Sequence, residues 1–479
     1  MRRRKPDAVS FPIPDRILPA SELGRVHFIG IGGAGLSAIA RLMRESGLTV
    51  SGSDAHDSDI LAALRAEGIT CFVGHAADQV AGADTVVAST AVRDDNPEVV
   101  EARRLGLRVW PRSAGLRSVM IGHRTLAIAG THGKTTTTAM LTYALRAAGD
   151  DPSFAIGAEV AGLGTNAHLG SSQLMVAEAD ESDGAFLVYR PAGAIVTNVD
   201  ADHLDVWGDA ESYAAAFARF AETVGEFLVV GVDDPGARAL AETVRSRGLR
   251  VITSGFADDA DLRGVNVRIE EGRTRLTATY GGDPLVDLDL AVPGEHYAQD
   301  ALAALAAGLA LGFPATDLAR GLGEYSGARR RMEFLGEADG VRVYDSYAHH
   351  PTEIAGDVAA GRALAEAGRL VVVYQPHLVS RTRELGTQMG EALSAADAVF
   401  VADLYVARED PDPAVSSAIV VDAISGPPAR LAGPVEGVAQ VVVPELRAGD
   451  LVLTLGAGDV TTVGPQILAL LGGGVGGSR

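Results

Sequence analysis

Short runs of Val, Ile and Leu alternate along this chain with Ala/Leu/Arg-rich stretches of helical period, and the alternation restarts three times. Strands that alternate with helices need crossover connections, so the pattern predicts parallel sheets covered by helices. The first restart is the strand Arg25–Ile29, which runs into Gly30-Ile31-Gly32-Gly33-Ala34-Gly35. The second is the strand Arg124–Ala129, which runs into Gly130-Thr131-His132-Gly133-Lys134-Thr135. The third follows Gly327-Ala328-Arg329-Arg330-Arg331, where Val341–Tyr344 and Leu370–Tyr374 resume strand patterning. Boundaries are expected near residues 122 and 328. This gives an N-terminal tail (1–24), domains at 25–122, 123–328 and 329–471, and a glycine-rich flexible tail (472–479).

A chain of 479 residues is long enough for two to four domains. Its net charge of −21 would repel nucleic acid and anionic membrane surfaces, so neither is expected as a partner. A single cysteine, Cys71, excludes an internal disulfide and fits a reducing compartment. The basic start Met1–Lys5 is followed by Pro12 and Pro14 rather than by the apolar stretch of a signal peptide, and no segment has the length of a membrane span. A soluble cytoplasmic protein is expected.

Of the 41 Lys plus Arg residues only two are lysines, Lys5 and Lys134. A chain that uses arginine almost everywhere keeps one lysine in a glycine-rich turn, where a slim ammonium on a long stem can reach the outer phosphates of a nucleotide. Thr135–Arg146 reads as a helix. Strand, turn and helix N-terminus would cradle phosphates with backbone N–H groups, and Thr135 would ligate Mg²⁺. The spacing departs from the common phosphate loop, because Ile128 stands five residues before Gly133 where glycine is usual. The competing reading is an ordinary glycine-containing strand-to-helix turn.

Gly30, Gly32 and Gly35 match the dinucleotide fingerprint, and Asp54 closes an expected second strand, Leu48–Val50. The ligand there could be any diphosphate-bridged nucleotide, including a nucleotide sugar, and a plain tight turn is the alternative. Glu178-Ala179-Asp180-Glu181-Ser182-Asp183 follows the apolar strand Leu174–Val176, a position suited to a Mg²⁺ ligand beside a phosphate loop. The next strand, Ala194–Val196, runs into Thr197–Asp205, which adds His203 to the carboxylates. In the third domain Asp345–Glu353 and Gln375–Arg383 follow successive strands, where a tyrosine, histidines and Arg381 would suit a small carboxylate-bearing substrate. Gly456–Asp459 adds a glycine turn after the strand Leu451–Thr454.

Taken together in this order, His27–Gly35, Gly130–Thr135, Glu178–Asp183, Thr197–Asp205, Tyr347–Glu353 and Gly456–Asp459 resemble the Mur ligase family from about residue 25 to 465. The resemblance implies three α/β domains: an N-terminal Rossmann-like parallel sheet that binds a UDP-sugar, a central P-loop ATPase-type domain and a C-terminal Rossmann-like domain that binds the amino acid. It implies ATP-dependent joining of a carboxylate to an amine through an acyl phosphate. Residues implied for ATP are Gly130, Thr131, His132, Gly133, Lys134, Thr135, Thr136, His296, Tyr297, Asp300 and Arg331. Lys134, Glu178 and His203 are implied as catalytic, with Thr135, Glu178 and His203 holding Mg²⁺, for which Mn²⁺ can substitute. Gly30, Gly32, Gly33, Gly35, Asp54 and Ser89 are implied for the UDP-sugar, and Tyr347, His349, His377 and Arg381 for the amino acid.

Related ligases that add later amino acids use a carbamylated central-domain lysine, and this chain has no lysine beyond Lys134. That points to the branch joining L-alanine to UDP-N-acetylmuramate, acting as a monomer or homodimer. Two alternatives are a murein-peptide ligase that uses the same nucleotide sugar and, from another class, a nicotinamide-dependent oxidoreductase built on Gly30, Gly32 and Gly35. The chain departs from the family pattern at Gly294–Asp300, where Tyr297 would stack on adenine and Asp300 accept from its amino group. It departs again at Ser346, where aspartate is frequent, and at Leu378 and Val379.

Overall fold

The computed structural model of the chain describes residues 11–472 apart from Asp183 and Arg408, and only the backbone of Asp205. Lys5 and most of the glycine-rich C-terminal tail lie outside the described residues. Phe11 and Leu23, assigned from sequence to the N-terminal tail, are buried in clusters with residues of the first sheet.

That sheet contains β1 (Val26–Ile29), β2 (Val50–Asp54), β3 (Thr70–Val73), β4 (Thr85–Ala88) and β5 (Arg108–Pro111). All are parallel, in the order β3-β2-β1-β4-β5. The order reverses between β1 and β4, and open α/β sheets bind ligands at such a switch point. The second strand begins at Val50, where the sequence reading ended it. Its Val-Ser-Gly-Ser-Asp composition hid it, since Ser53 is fully buried and satisfied by hydrogen bonding instead of apolar packing.

The second sheet has ten strands: β6 (Arg124–Ala129), β7 (Ser153–Ala155), β8 (Ala167–His168), β9 (Leu174–Glu178), β10 (Gly193–Val196), β11 (Phe227–Gly231), β12 (Arg250–Gly255), β13 (Leu262–Glu270), β14 (Arg273–Tyr280) and β15 (Asp283–Leu290). Their order is β15-β14-β13-β12-β11-β10-β6-β9-β7-β8. β6 lies between β10 and β9, parallel to both, with Ala129 beside Val196 and Ile128 beside Glu178. This register brings the lysine turn, the acidic cluster and the Thr197–Asp205 segment to one sheet edge. The antiparallel pair β7–β8 makes the sheet mixed.

The third sheet has β16 (Glu333–Ala338), β17 (Val341–Ser346), β18 (Leu370–Tyr374), β19 (Ala398–Ala402), β20 (Ala429–Gly433) and β21 (Leu451–Leu455), ordered β16-β17-β21-β18-β19-β20. β18, β19 and β21 are buried at every position, as expected of parallel strands covered on both faces. Only β16 runs antiparallel to its neighbour, through a hairpin whose turn places Asp339 and Gly340 at positive φ.

The chain divides into two compact units. One comprises residues 1–265, 278–286 and 299–322; the other comprises 266–277, 287–298 and 323–479.

Candidate active site

The lysine turn is tight because two of its positions exclude a side chain. Gly130 has φ 138° and Gly133 φ 78°. A Cβ would collide with Thr197 Oγ1 at the first and with Asp300 Oδ1 at the second. Helix Lys134–Ala147 starts directly after the turn. Lys134 Nζ folds back to donate to the carbonyls of Gly130 (2.6 Å) and Thr131 (2.9 Å), and pairs with Glu181 Oε2 at 2.8 Å. Burial works against its charge, but the carboxylates of Glu181, Asp180 and Glu178 outweigh burial and hold the ammonium above its ordinary value. Thr135 and Thr136 are buried in the first helical turn. The N–H cradle expected from sequence is partly committed inside the protein. Thr131 N donates to Asn198 O and His132 N to Asn198 Oδ1, while His132 Nε2 lies 3.4 Å from Asp200 Oδ2.

Around this turn the carboxylates differ in character. Glu181 is 1% exposed, and burial pushes its carboxyl up to about 7 despite Lys134. Asp180 is also desolvated, but the Arg112 guanidinium at 2.7 Å and the charge of Lys134 hold it well below the usual range. Glu178 accepts from Gly157 N at 2.6 Å. His203 has φ 52°, and its Nε2 lies 4.0 Å from Glu181 Oε1 and 3.6 Å from Asp202 Oδ2. Lys134, Glu181 and His203 therefore share one constellation, with Glu178 and Asp180 at the same strand end.

Asp300, expected beside adenine, stands against the lysine turn. It accepts from Thr137 Oγ1 at 3.0 Å and crowds Gly133. Tyr297 belongs to the other compact unit and is 2% exposed, with its hydroxyl donating to Arg331 O and its ring 4.2 Å from that of His296. The Tyr297 ring thus packs beside His296 with its hydroxyl engaged.

At the first sheet Gly30 has φ 86°, and the turn backbone is tied to β2: Gly30 N and Ile31 N donate to Ser53 O, Gly32 N to Asp54 Oδ2 (2.9 Å). Asp54 thus shapes the turn through one carboxylate oxygen. Ser89 follows β4 across the switch point, its Cβ 3.1 Å from where a Gly30 Cβ would stand. Gly33 precedes helix Ala34–Glu45, whose first N–H groups have no helical acceptor. Gly35 in that turn lies against the Arg112 guanidinium.

In the second unit Tyr347, His349, His377 and Arg381 do come together. His349 Nδ1 lies 2.9 Å from Tyr347 O, the His349 and His377 rings are 6.2 Å apart, and Arg381 Nη1 lies 3.3 Å from His377 Nδ1. Arg330 and Arg331 stand over the Tyr347 ring. Ser346 donates to Asp357, whose other oxygen lies 3.6 Å from His296 Nε2. Burial pushes Asp357 up to about 7 and His296 down to about 4. Leu378 takes φ 71°, with its N–H on Tyr405 O, and the Tyr405 ring stacks on His377 at 5.6 Å.

Sequence reading did not single out Arg112, Asn198, Asp357 or Tyr405, nor give Asp180 and Glu181 their own roles. Asn198, Asp180 and Glu181 sit inside motifs already quoted. Arg112, Asp357 and Tyr405 carry no local signal, because only folding brings them to these sites.

Three family models match in succession: "Mur ligase family, catalytic domain" over residues 25–124, "Mur ligase middle domain" over 128–308 and "Mur ligase, glutamate ligase domain" over 330–458. A UDP-N-acetylmuramate–L-alanine ligase of a Nocardioides species is 58% identical over 466 residues, covering 96% of this chain and 99% of the relative. The chain belongs to the Mur ligase family. Family likeness extends to solved structures. UDP-N-acetylmuramate-alanine ligase MurC from Thermotoga maritima matches with TM-score 0.80 and 28% identity over 93% of this chain and 98% of its own. A murein peptide ligase from Psychrobacter arcticus shares the fold at TM-score 0.69 and 23% identity, covering 95% of this chain and 100% of its own.

Proposed function

We propose that this Mur ligase joins L-alanine to the carboxylate of UDP-N-acetylmuramate at the expense of ATP, giving UDP-N-acetylmuramoyl-L-alanine, ADP and phosphate for peptidoglycan precursor synthesis. The observation that carries the reading is the Lys134 turn with Glu178, Glu181 and His203 at aligned ends of β6, β9 and β10, in a chain similar nearly end to end to such ligases. The direct exchange of a carboxylate for an amide is uphill in water. Attack of the muramyl carboxylate on the γ-phosphorus releases ADP and leaves an acyl phosphate; attack by the alanine amine then gives a tetrahedral intermediate that expels phosphate.

In this scheme Lys134 exchanges its contacts with Glu181 and the turn carbonyls for the γ-phosphate and balances charge on the phosphoryl group in flight. The Thr135 hydroxyl, the Glu178 carboxylate and His203 are assigned to Mg²⁺ or Mn²⁺, which favour hard oxygen donors. When bound, that ion would neutralise phosphate charge. Arg381 offers a planar fork to the alanine carboxylate, with Tyr347, His349 and His377 around it. Gly30, Gly32, Gly33, Gly35, Asp54 and Ser89 are assigned to the nucleotide sugar, and His296 and Arg331 to ATP. The reaction is placed in the cytoplasm, in keeping with one cysteine. Among the described residues no helix is long and apolar enough to cross a membrane.

The test is Mg²⁺- and ATP-dependent phosphate release with UDP-N-acetylmuramate, comparing L-alanine with an L-Ala-γ-D-Glu-containing tripeptide. Release with alanine is expected. Release with the tripeptide alone would move the chain to the murein-peptide branch. Hydride transfer to a nicotinamide without ATP would overturn the ligase reading; that alternative leaves Lys134 and Glu178 without a task.

A further inference from the structure

Arg112 occupies a position that the proposed chemistry has not used. It opens helix Arg112–Met120 directly after β5, at the edge of the first sheet that carries the glycine turn. Its guanidinium faces two ways. Nη1 lies 3.0 Å from where a Cβ on Gly35 would stand, against the first turn of helix Ala34–Glu45. Nη2 donates to Asp180 Oδ2 at 2.7 Å, and Asp180 adjoins Glu181, the partner of Lys134. Only 24% of the side chain is exposed.

A guanidinium holds its donors in a rigid planar fork and can serve two anions on different edges at once; an ammonium is a point charge without that geometry. Diphosphate at the 30–35 turn would meet the Nη1 edge while the Nη2 edge keeps Asp180. Conversely, nucleotide phosphates that draw Lys134 from Glu181 act on the acidic segment that Arg112 steadies. We infer that Arg112 is a positioning residue that couples the two nucleotide sites, so that ATP at the lysine turn and the diphosphate-linked sugar at the glycine turn each tighten the other's binding. The inference rests on the reading that the sugar nucleotide occupies the 30–35 turn.

Coupling free energies between sites commonly correspond to about 5–150-fold and are reciprocal. Titration calorimetry on the full chain would measure the Kd of UDP-N-acetylmuramate with and without a non-hydrolysable ATP analogue and Mg²⁺, for wild type, Arg112→Lys and Asp180→Asn. The wild type is expected to bind the sugar at least about fivefold more tightly with the analogue present. In both variants that ratio should fall to nearly one, while the Kd of the analogue alone changes far less. A merely structural arginine would change each affinity but leave the ratio intact, and an unchanged ratio in both variants would overturn the inference, as would a wild-type ratio of one. Failure of wild type to bind the sugar nucleotide at all would instead overturn the proposed function. Thermal melts of each variant show that it is folded, and Asp180→Asn tests the same bridge from its other end.

Discussion

Lys134 illustrates how much one side chain can be asked to do. Its ammonium is held by Glu181 and two turn carbonyls, so the protein keeps a fixed charge at the proposed phosphate site. Lys134→Ala should lower kcat by on the order of 10³, the scale of losing an electrostatic contact made chiefly in the transition state. The Kd for UDP-N-acetylmuramate measured without ATP should stay within a few-fold, which calorimetry checks; a large loss would place the sugar nucleotide elsewhere. Asp357 gives a test through pH. Its folded value is raised from 3.8 to about 7, so the folded state resists ionisation that the unfolded chain permits. No term exists below pH 3.8, a penalty grows as pH rises toward 7, and above 7 it is complete. Asp357→Asn, still able to accept from Ser346, should therefore stabilise the protein above pH 7 by up to about 4 kcal/mol at 1.36 kcal/mol per pKa unit. The gain should vanish by pH 4. Urea titrations at pH 4, 6 and 8 measure this, and a gain independent of pH would contradict it. The Ser346–Asp357 pair also gives a physical reading of the departure at Ser346: a carboxylate still reaches that position, supplied by helix Pro351–Ala365.

Secondary elements explain what sequence could and could not disclose. β6, buried after Arg124, and the fully buried β18 and β21 announced themselves because buried parallel strands are mostly apolar runs. The lysine turn was equally legible, since Gly130 and Gly133 are places where a Cβ has no room. β2 was misplaced because its serines, half-buried Ser51 and buried Ser53, hydrogen-bond to His27 and Glu98, which requires knowing the partners. The contact of Asp300 with Thr137 was hidden for the same reason, since Thr137 lies far back in the chain. The segment between β7 and β8 carries a comparable surprise. At one end Gly157 N donates to Glu178. At the other, Asn166 Nδ2 donates to Ala34 O and Ser37 Oγ, and its Oδ1 accepts from Arg41. One short strap thus ties a proposed metal ligand to the helix behind the glycine turn. Asn166→Ala strands buried partners and should cost about 1–3 kcal/mol, lowering the denaturant midpoint of that unit with little change in m.

Across the whole molecule, ligand binding should separate the two compact units. The glycine and lysine turns belong to the unit containing residues 1–265, and the Tyr347–Arg381 cluster to the unit containing 323–479. UDP-N-acetylmuramate at about 100 times its Kd should stabilise the first by about 2.7 kcal/mol. Scanning calorimetry is expected to show one transition raised and another nearly fixed; a single transition that moves as one would mean the units unfold together. The connection between them has a further consequence. Because the chain passes back and forth, the second unit includes residues 266–277 and 287–298 as well as everything from Gly323 onward. A gene crossover at codon 323 would pair a new C-terminal unit with two segments inherited from the old one, so wholesale exchange of the half proposed to bind the amino acid is closed to simple recombination. On the proposed assignment, change in amine specificity is left to point substitution around Tyr347, His377, Arg381 and Tyr405.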